Sequence, residues 1–224
     1  MTWVLAAAAD LLLGGVCAGC GRPGVAACPS CRRRLGRAPV HRVARPLPGF
    51  PLTFARGHYG EELRGLLIAF KERQRLGLGP VLGDALVPAL ARLLLEHPAP
   101  QVCLVPAPSA ASRIRERGYD VTWIMARRAA AGLRSLGVRA RAGRWLRQRP
   151  GMRDQSELDR EHRRVNASGG LVAAHAGAAV VIVVDDIVTT GSTLCAATAA
   201  LATAGHRVLG AAVIADTRRL GPRG

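Results

Sequence analysis

Residues 179–193, AVVIVVDDIVTTGST, constrain the fold of this chain more than any other stretch. Val180 to Val184 is an unbroken apolar run rich in β-branched residues, too short for a typical helix and suited to a strand covered on both faces. The pattern predicts a central parallel strand. The run halts at two carboxylates, Asp185 and Asp186. Thr189, Thr190, Gly191, Ser192 and Thr193 follow before an Ala-rich helical segment begins.

Each part of this stretch suits a sugar phosphate. Gly191 lets the backbone take positive φ, so successive N–H groups converge on one anion, and the uncapped N–H groups of the following helix add partial positive charge. Thr189, Thr190, Ser192 and Thr193 bring hydroxyl donors to the same place, so a phosphate is held without lysine. Asp185 and Asp186, at the strand's carboxyl end, are placed to accept from two adjacent sugar hydroxyls or to hold Mg²⁺. A plainer reading has the acids merely ending a strand and the hydroxyls capping a helix. The acidic pair, the turn and the buried strand occurring in register argue against it.

The segment resembles the phosphoribosyl-pyrophosphate (PRPP) motif of type I phosphoribosyltransferases, a hydrophobic strand leading into Asp-Asp, two residues, then Thr-Thr-Gly. The resemblance implies that Asp185 and Asp186 bind the ribose 2- and 3-hydroxyls. It also implies that Thr189, Thr190, Gly191, Ser192 and Thr193 hold the 5-phosphate.

A chain of 224 residues has room for one sizeable α/β domain and a small appendage, and 49% hydrophobic content is ample for a core. A formal charge of +17 makes polyanions the expected partners: PRPP, a nucleotide or nucleic acid. An Ala- and Arg-rich composition of genomic origin accounts for the charge equally well. The N-terminal MTWVLAAAADLLLGGVC lacks a basic leader and is interrupted by Asp10, so export is not expected, and Leu5 to Leu13 reads as a short docking helix. No apolar segment reaches the roughly 18 residues needed to span a bilayer. A cytoplasmic protein without a membrane span is expected.

Four cysteines cluster as two CxxC knuckles, Cys17 with Cys20 and Cys28 with Cys31. Four thiolates so spaced suit a closed, structural Zn²⁺ site, and a segment this short scarcely folds without one. A disulfide pair or an iron–sulfur cluster is the rival, and the expected cytosolic context favours structural zinc. Cys103 and Cys195 lie in apolar surroundings and read as inert core thiols. Residues 1–37 are therefore expected to form a helix and zinc-ribbon module, 38–53 a Pro- and Arg-rich linker, and 54–224 the main domain.

Within that domain, from Phe54 onward, Leu63, Leu66, Leu67 and Phe70 recur at helical spacing, predicting an amphipathic helix that ends near Gly77. Another helix is predicted over Pro80 to Glu96, started by Pro80 and kinked at Pro88. Gln101 to Val105 is a predicted strand, followed by a basic loop, Ser112 to Asp120. That loop places Arg113, Arg115 and Arg117 at the sheet's carboxyl edge, where a pyrophosphate leaving group suits them. Helix is expected over Gly118 to Gly137, and strands within Val138 to Leu146, from Leu171, and over His206 to Ala215. Arg147 to Gly170 is highly charged; Ser156 to Val165 favours helix but has almost no apolar face, which suits a lid closing over an anionic ligand.

The zinc knuckles, VPAPS followed by RIRERGYD, Gln155-x-x-Leu158 followed by Arg163-Arg164-x-Asn166, and the PRPP motif together resemble the ComF family over nearly the whole chain. The resemblance implies an α/β fold, a type I phosphoribosyltransferase-like parallel sheet flanked by helices with a small N-terminal four-cysteine zinc-ribbon module. It implies structural Zn²⁺, Mg²⁺ bound with PRPP, and a lid carrying Gln155, Arg163 and Arg164. Relatives linked to competence and DNA uptake imply single-stranded DNA and a competence helicase-type protein as partners. The family has Gly-Phe-Asn-Gln where this chain has Gly118-Tyr119-Asp120-Val121, a departure at the place where an acceptor contact would fall.

Overall fold

The computed structural model describes residues 15–148, 170–174 and 177–217. The docking helix expected over Leu5 to Leu13, the helix expected over Ser156 to Val165, and the lid residues Gln155, Arg163 and Arg164 lie outside them.

The elements run α1 (Pro29–Arg37), β1 (His41–Val43), β2 (Thr53–His58), α2 (Glu61–Glu72), α3 (Leu78–Glu96), β3 (Gln101–Pro106) and α4 (Ala111–Arg117). They continue with α5 (Val121–Ser135), β4 (Arg139–Ala142), β5 (Leu146–Gln148), β6 (Leu171–Ala173), β7 (Val180–Val188), α6 (Ser192–Thr203) and β8 (Arg207–Asp216). Six strands form one sheet in the order β1-β2-β8-β7-β3-β4. Only the edge pair β1–β2 is antiparallel. β5 and β6 make a separate antiparallel ribbon. The architecture is α/β, a mostly parallel sheet flanked by helices.

Strand alternation decides which helix each side chain meets. Leu104, Ile182, Val184 and Ile214 enter a core completed by α2, α3 and α5, whereas Val105, Val181, Val183 and Val213 enter a second core with α6, Trp145 and Leu146. With both faces covered, β7 reads as a continuous apolar run, as anticipated. It does not stop at the acids, however, but continues in register through Asp185 to Val188, paired with Asp216.

Several expectations need correction. His41–Val43, placed in the linker, pair with Thr53–Ala55 as an edge of the sheet. Phe54 and its neighbours belong to β2, so the amphipathic helix is confined to Glu61–Glu72. The run Ser112 to Asp120 is mostly a seven-residue helix, Ala111–Arg117, ended by Gly118 in the left-handed conformation. The stretch Val138 to Leu146 contributes to two strands rather than one.

α3 is also long and apolar enough to cross a bilayer by length and composition, contrary to the expectation that no segment would be. Leu82, Leu86, Ala89, Leu90 and Leu93 on it are fully inaccessible within the larger core. It has the burial of a core helix.

Candidate functional site

Asp185 and Asp186 sit inside β7 between β3 and β8, and the N–H of Ala107, just past β3, donates to the Val184 carbonyl at 2.8 Å. The acids therefore lie where the carboxyl ends of three parallel strands meet, the edge at which open α/β sheets present ligands. Asp186 is 7% exposed and Asp185 partly buried. Oδ1 of Asp185 accepts from the Asp186 N–H at 2.8 Å. Lys71, near the end of α2, places its Nζ on Oδ2 of Asp186. Burial, and after it the neighbouring Asp186 carboxylate, pushes the Asp185 carboxyl up to about 8. Carboxylate oxygens are donors of the kind Mg²⁺ takes, and on Asp186 such an ion would compete with Lys71.

Beyond Val188 the chain turns sharply. Gly191 has φ +91° and precedes the first turn of α6. Among the described residues no backbone carbonyl accepts from the N–H of Thr190, Gly191 or Thr193. Thr190 Oγ1 and Ser192 Oγ lie 2.9 Å apart, and the Ser192 N–H points to Thr190 Oγ1 at 3.4 Å. Thr189, Thr190 and Thr193 are exposed. The turn offers an anion three amides that meet no backbone acceptor among the described residues, with the hydroxyls of Thr189 and Thr193 exposed beside them.

Sequence reasoning missed what positions this turn. Arg45, in the stretch expected to be linker, donates from Nε to the Thr189 carbonyl at 2.7 Å and from Nη2 to the carbonyls of Val188 and Thr217, and pairs with Asp216. Phe50 lies against Gly191 so closely that a Cβ there would come 2.5 Å from its ring. Residues 44–50 thus strap the turn from outside. Lys71 was missed as well, because its charge lay on the polar face of an ordinary amphipathic helix.

The predicted arginines diverge. Arg113 and Arg115 are exposed on α4, while the Arg117 side chain is only 11% exposed and donates to Oε1 of Glu72, the residue after Lys71, at 2.9 Å. Asp120 caps α5, accepting from the Trp123 N–H at 3.2 Å. A cavity of about 290 Å³ opens nearby, lined by Pro106, Pro108, Ser109, Asp120, Arg144 and Arg147.

The four knuckle thiols come together, all sulfur atoms lying within 4.8 Å of one another. Cys20 and Cys28 are 3.7 Å apart, against about 3.8 Å for the edge of a tetrahedron with 2.3 Å zinc–sulfur bonds. The Cys28 N–H donates to Cys17 Sγ at 3.3 Å and Arg34 Nη2 to Cys31 Sγ at 3.2 Å. Burial raises the Cys17 thiol, but N–H groups of Cys28, Gly19 and Cys20 outweigh it and bring it down to about 6. The donor set fits a structural zinc ion.

The module is fastened to the sheet domain. Arg34 Nε donates to both oxygens of Glu62 on α2, at 3.1 and 2.9 Å. The Ala18 carbonyl approaches Gly65 so closely that a Cβ there would fall 2.3 Å from it. Arg56 of β2, 4% exposed, caps the far end of α1 through the carbonyls of Gly36 and Ala38.

A sequence model of the family described as phosphoribosyl transferase domain matches residues 173–222. The match takes in β7, the turn, α6 and β8, so a phosphoribosyltransferase-type domain is present. No curated protein matches the chain.

Proposed function

We propose that this chain binds PRPP with Mg²⁺ at the carboxyl edge of its sheet and transfers the phosphoribosyl group to an acceptor, with release of pyrophosphate. The observation that carries the reading is that the amides of Thr190, Gly191 and Thr193, which meet no backbone acceptor among the described residues, follow directly on a strand that carries two adjacent carboxylates. The turn Thr189 to Thr193 takes the 5-phosphate, and Asp185 and Asp186 take the ribose hydroxyls. Bound Mg²⁺ supplies charge neutralisation on the departing pyrophosphate. Arg113 and Arg115 provide further cationic charge, with Arg117 held in reserve on Glu72, and Gln155, Arg163 and Arg164 belong to a covering lid.

Displacement at C1 passes through oxocarbenium character, so carboxylates fixed beside the ribose and a sheltered edge favour it. The acceptor on this reading enters the cavity beside Asp120 and Arg144. On this reading Cys17, Cys20, Cys28 and Cys31 hold structural zinc in a ComF-type arrangement, and four thiolates kept for a metal suit a cytoplasmic protein. Incubation with PRPP, Mg²⁺ and a panel of nucleobases tests this reading. Pyrophosphate release that disappears in Asp186→Ala supports it, and failure of the wild type to bind PRPP in a calorimeter removes it.

A second reading, a non-catalytic nucleic-acid-binding accessory protein for DNA uptake, is favoured by one surface. Arg127 and Arg144 lie over the Trp123 ring at 5.9 and 4.6 Å, and Arg141 lies over Trp145 at 5.0 Å. A cavity of about 580 Å³ runs past Trp123, Arg127, Arg134 and Arg141. Arginines grouped round the partly buried Trp123 suit the phosphate backbone of single-stranded DNA, while Trp145 is itself a core ring. This reading carries the competence helicase-type partner with it. Oligonucleotide binding that weakens steeply with salt, without turnover of PRPP, favours it over the first.

A further inference from the structure

We propose that His41, His58 and Asp216 form a second metal site, for a borderline divalent ion such as Zn²⁺, Co²⁺ or Ni²⁺, beside the phosphate turn. One donor atom from each of the three lies within 4.8 Å of the others. Strand pairing brings them there: His58 and Asp216 are register partners of the parallel strands β2 and β8, and β1 carries His41 onto the same edge. His41 Nε2 is 3.3 Å from Asp216 Oδ2, and the two imidazole rings lie 4.1 Å apart at 31°.

The chemistry of the set selects the ion. Two imidazoles and one carboxylate favour borderline metals, whereas Mg²⁺ prefers oxygen alone. Three protein donors leave coordination positions open, the pattern of a site that can take a further ligand. His41 Nδ1 is buried with no hydrogen-bond partner among the described residues. The ring can therefore turn toward an ion without breaking a bond at that nitrogen. Arg45 holds the other oxygen of Asp216, orienting the carboxylate as an outer group orients a metal ligand.

The location gives the site a consequence. Asp216 is the register partner of Val188, the residue before Thr189, and the Thr217 N–H donates to the Val188 carbonyl at 3.1 Å. A divalent charge there adds to the attraction of the turn for an anion. The plainer alternative is an ion-pair network in which His41 and Arg45 only neutralise Asp216.

The full chain, with its cysteine cluster saturated with Zn²⁺, is titrated with Co²⁺. One Co²⁺ per chain is expected, showing ligand-field absorption without thiolate charge transfer and with zinc retained. His58→Ala, at the exposed end of β2, weakens binding about tenfold or more, and His41→Ala with His58→Ala abolishes it. Zinc content and circular dichroism show that each variant is folded, and His58→Ala alone decides the matter if the double variant is not. Wild type taking no Co²⁺ beyond the cysteine cluster, or His58→Ala binding it as tightly, overturns the proposal. Neither readout uses PRPP, so failure here leaves the phosphoribosyltransferase reading standing.

Discussion

The ammonium of Lys71 and the carboxylate of Asp186 form an ion pair between the end of α2 and the centre of the sheet, with side chains 24% and 9% exposed. One acid of the pair is thereby neutralised by the protein itself, while its neighbour Asp185 is left to hold a proton.

Lys71→Met should leave the Asp186 carboxylate buried without its cation. Breaking a fully buried pair costs about 3–5 kcal/mol. Because Lys71 is partly solvated, the expected loss is smaller, about 1–3 kcal/mol. Urea unfolding of the two proteins at neutral pH measures it, and an unchanged midpoint would show the pair to be energetically idle.

Asp185 predicts a pH dependence of stability. Its carboxyl is raised from an ordinary 3.8 to about 8, burial being the first cause and Asp186 the second. Between those values the folded chain holds a proton that the unfolded chain has released. Stability should therefore be fully aided below about 4 and fall as pH rises toward 8, by no more than about 1.4 kcal/mol per pH unit. Asp185→Asn should flatten that slope in melts taken across the window. On the proposed function, PRPP affinity with Mg²⁺ should rise over the same window, since the ionised pair is the binding form.

Gly191 carries two constraints that a pair of variants separates. Gly191→Ala meets a left-handed conformation, φ +91°, that costs a side-chain-bearing residue about 1–2 kcal/mol, and it drives a methyl group into Phe50. Gly191→Ala should abolish PRPP binding by calorimetry and lower the melting temperature. Adding Phe50→Ala should recover part of the stability lost to the collision but not the part lost to φ. Full recovery would refute the backbone argument.

Removal of zinc should loosen the module before the sheet. With the four thiols released, amides of Cys17 to Arg37 should exchange hydrogen faster, while those of β7 and β8, buried on both faces, keep their protection. Exchange mass spectrometry before and after chelation reads this directly. Equal loosening of both regions would mean that the module and the sheet unfold as one unit.

The features legible in the linear chain are those whose physics is local. Val180 to Val184 announces a covered strand because five successive apolar residues need burial on both faces. Gly191 announces a turn because its conformation is its own, and paired CxxC spacing announces a cluster because two knuckles close over a few residues. The helical stripe of Leu63, Leu66, Leu67 and Phe70 is likewise periodic within one element. β1 and β2 gave no comparable signal: three and six residues with basic and polar members owe their state to pairing with each other and with β8.

What the tertiary structure alone decided is which distant groups share the edge. Lys71 on Asp186, Arg45 across Thr189 and Asp216, Phe50 against Gly191, and His41 with His58 and Asp216 each join segments whose separation leaves no periodicity to read. A side chain's charge is written in the sequence, but its partner is chosen by the order in which strands lie side by side. Here that order sets β8 between β2 and β7, and so brings the N-terminal strap onto a turn formed more than a hundred residues later.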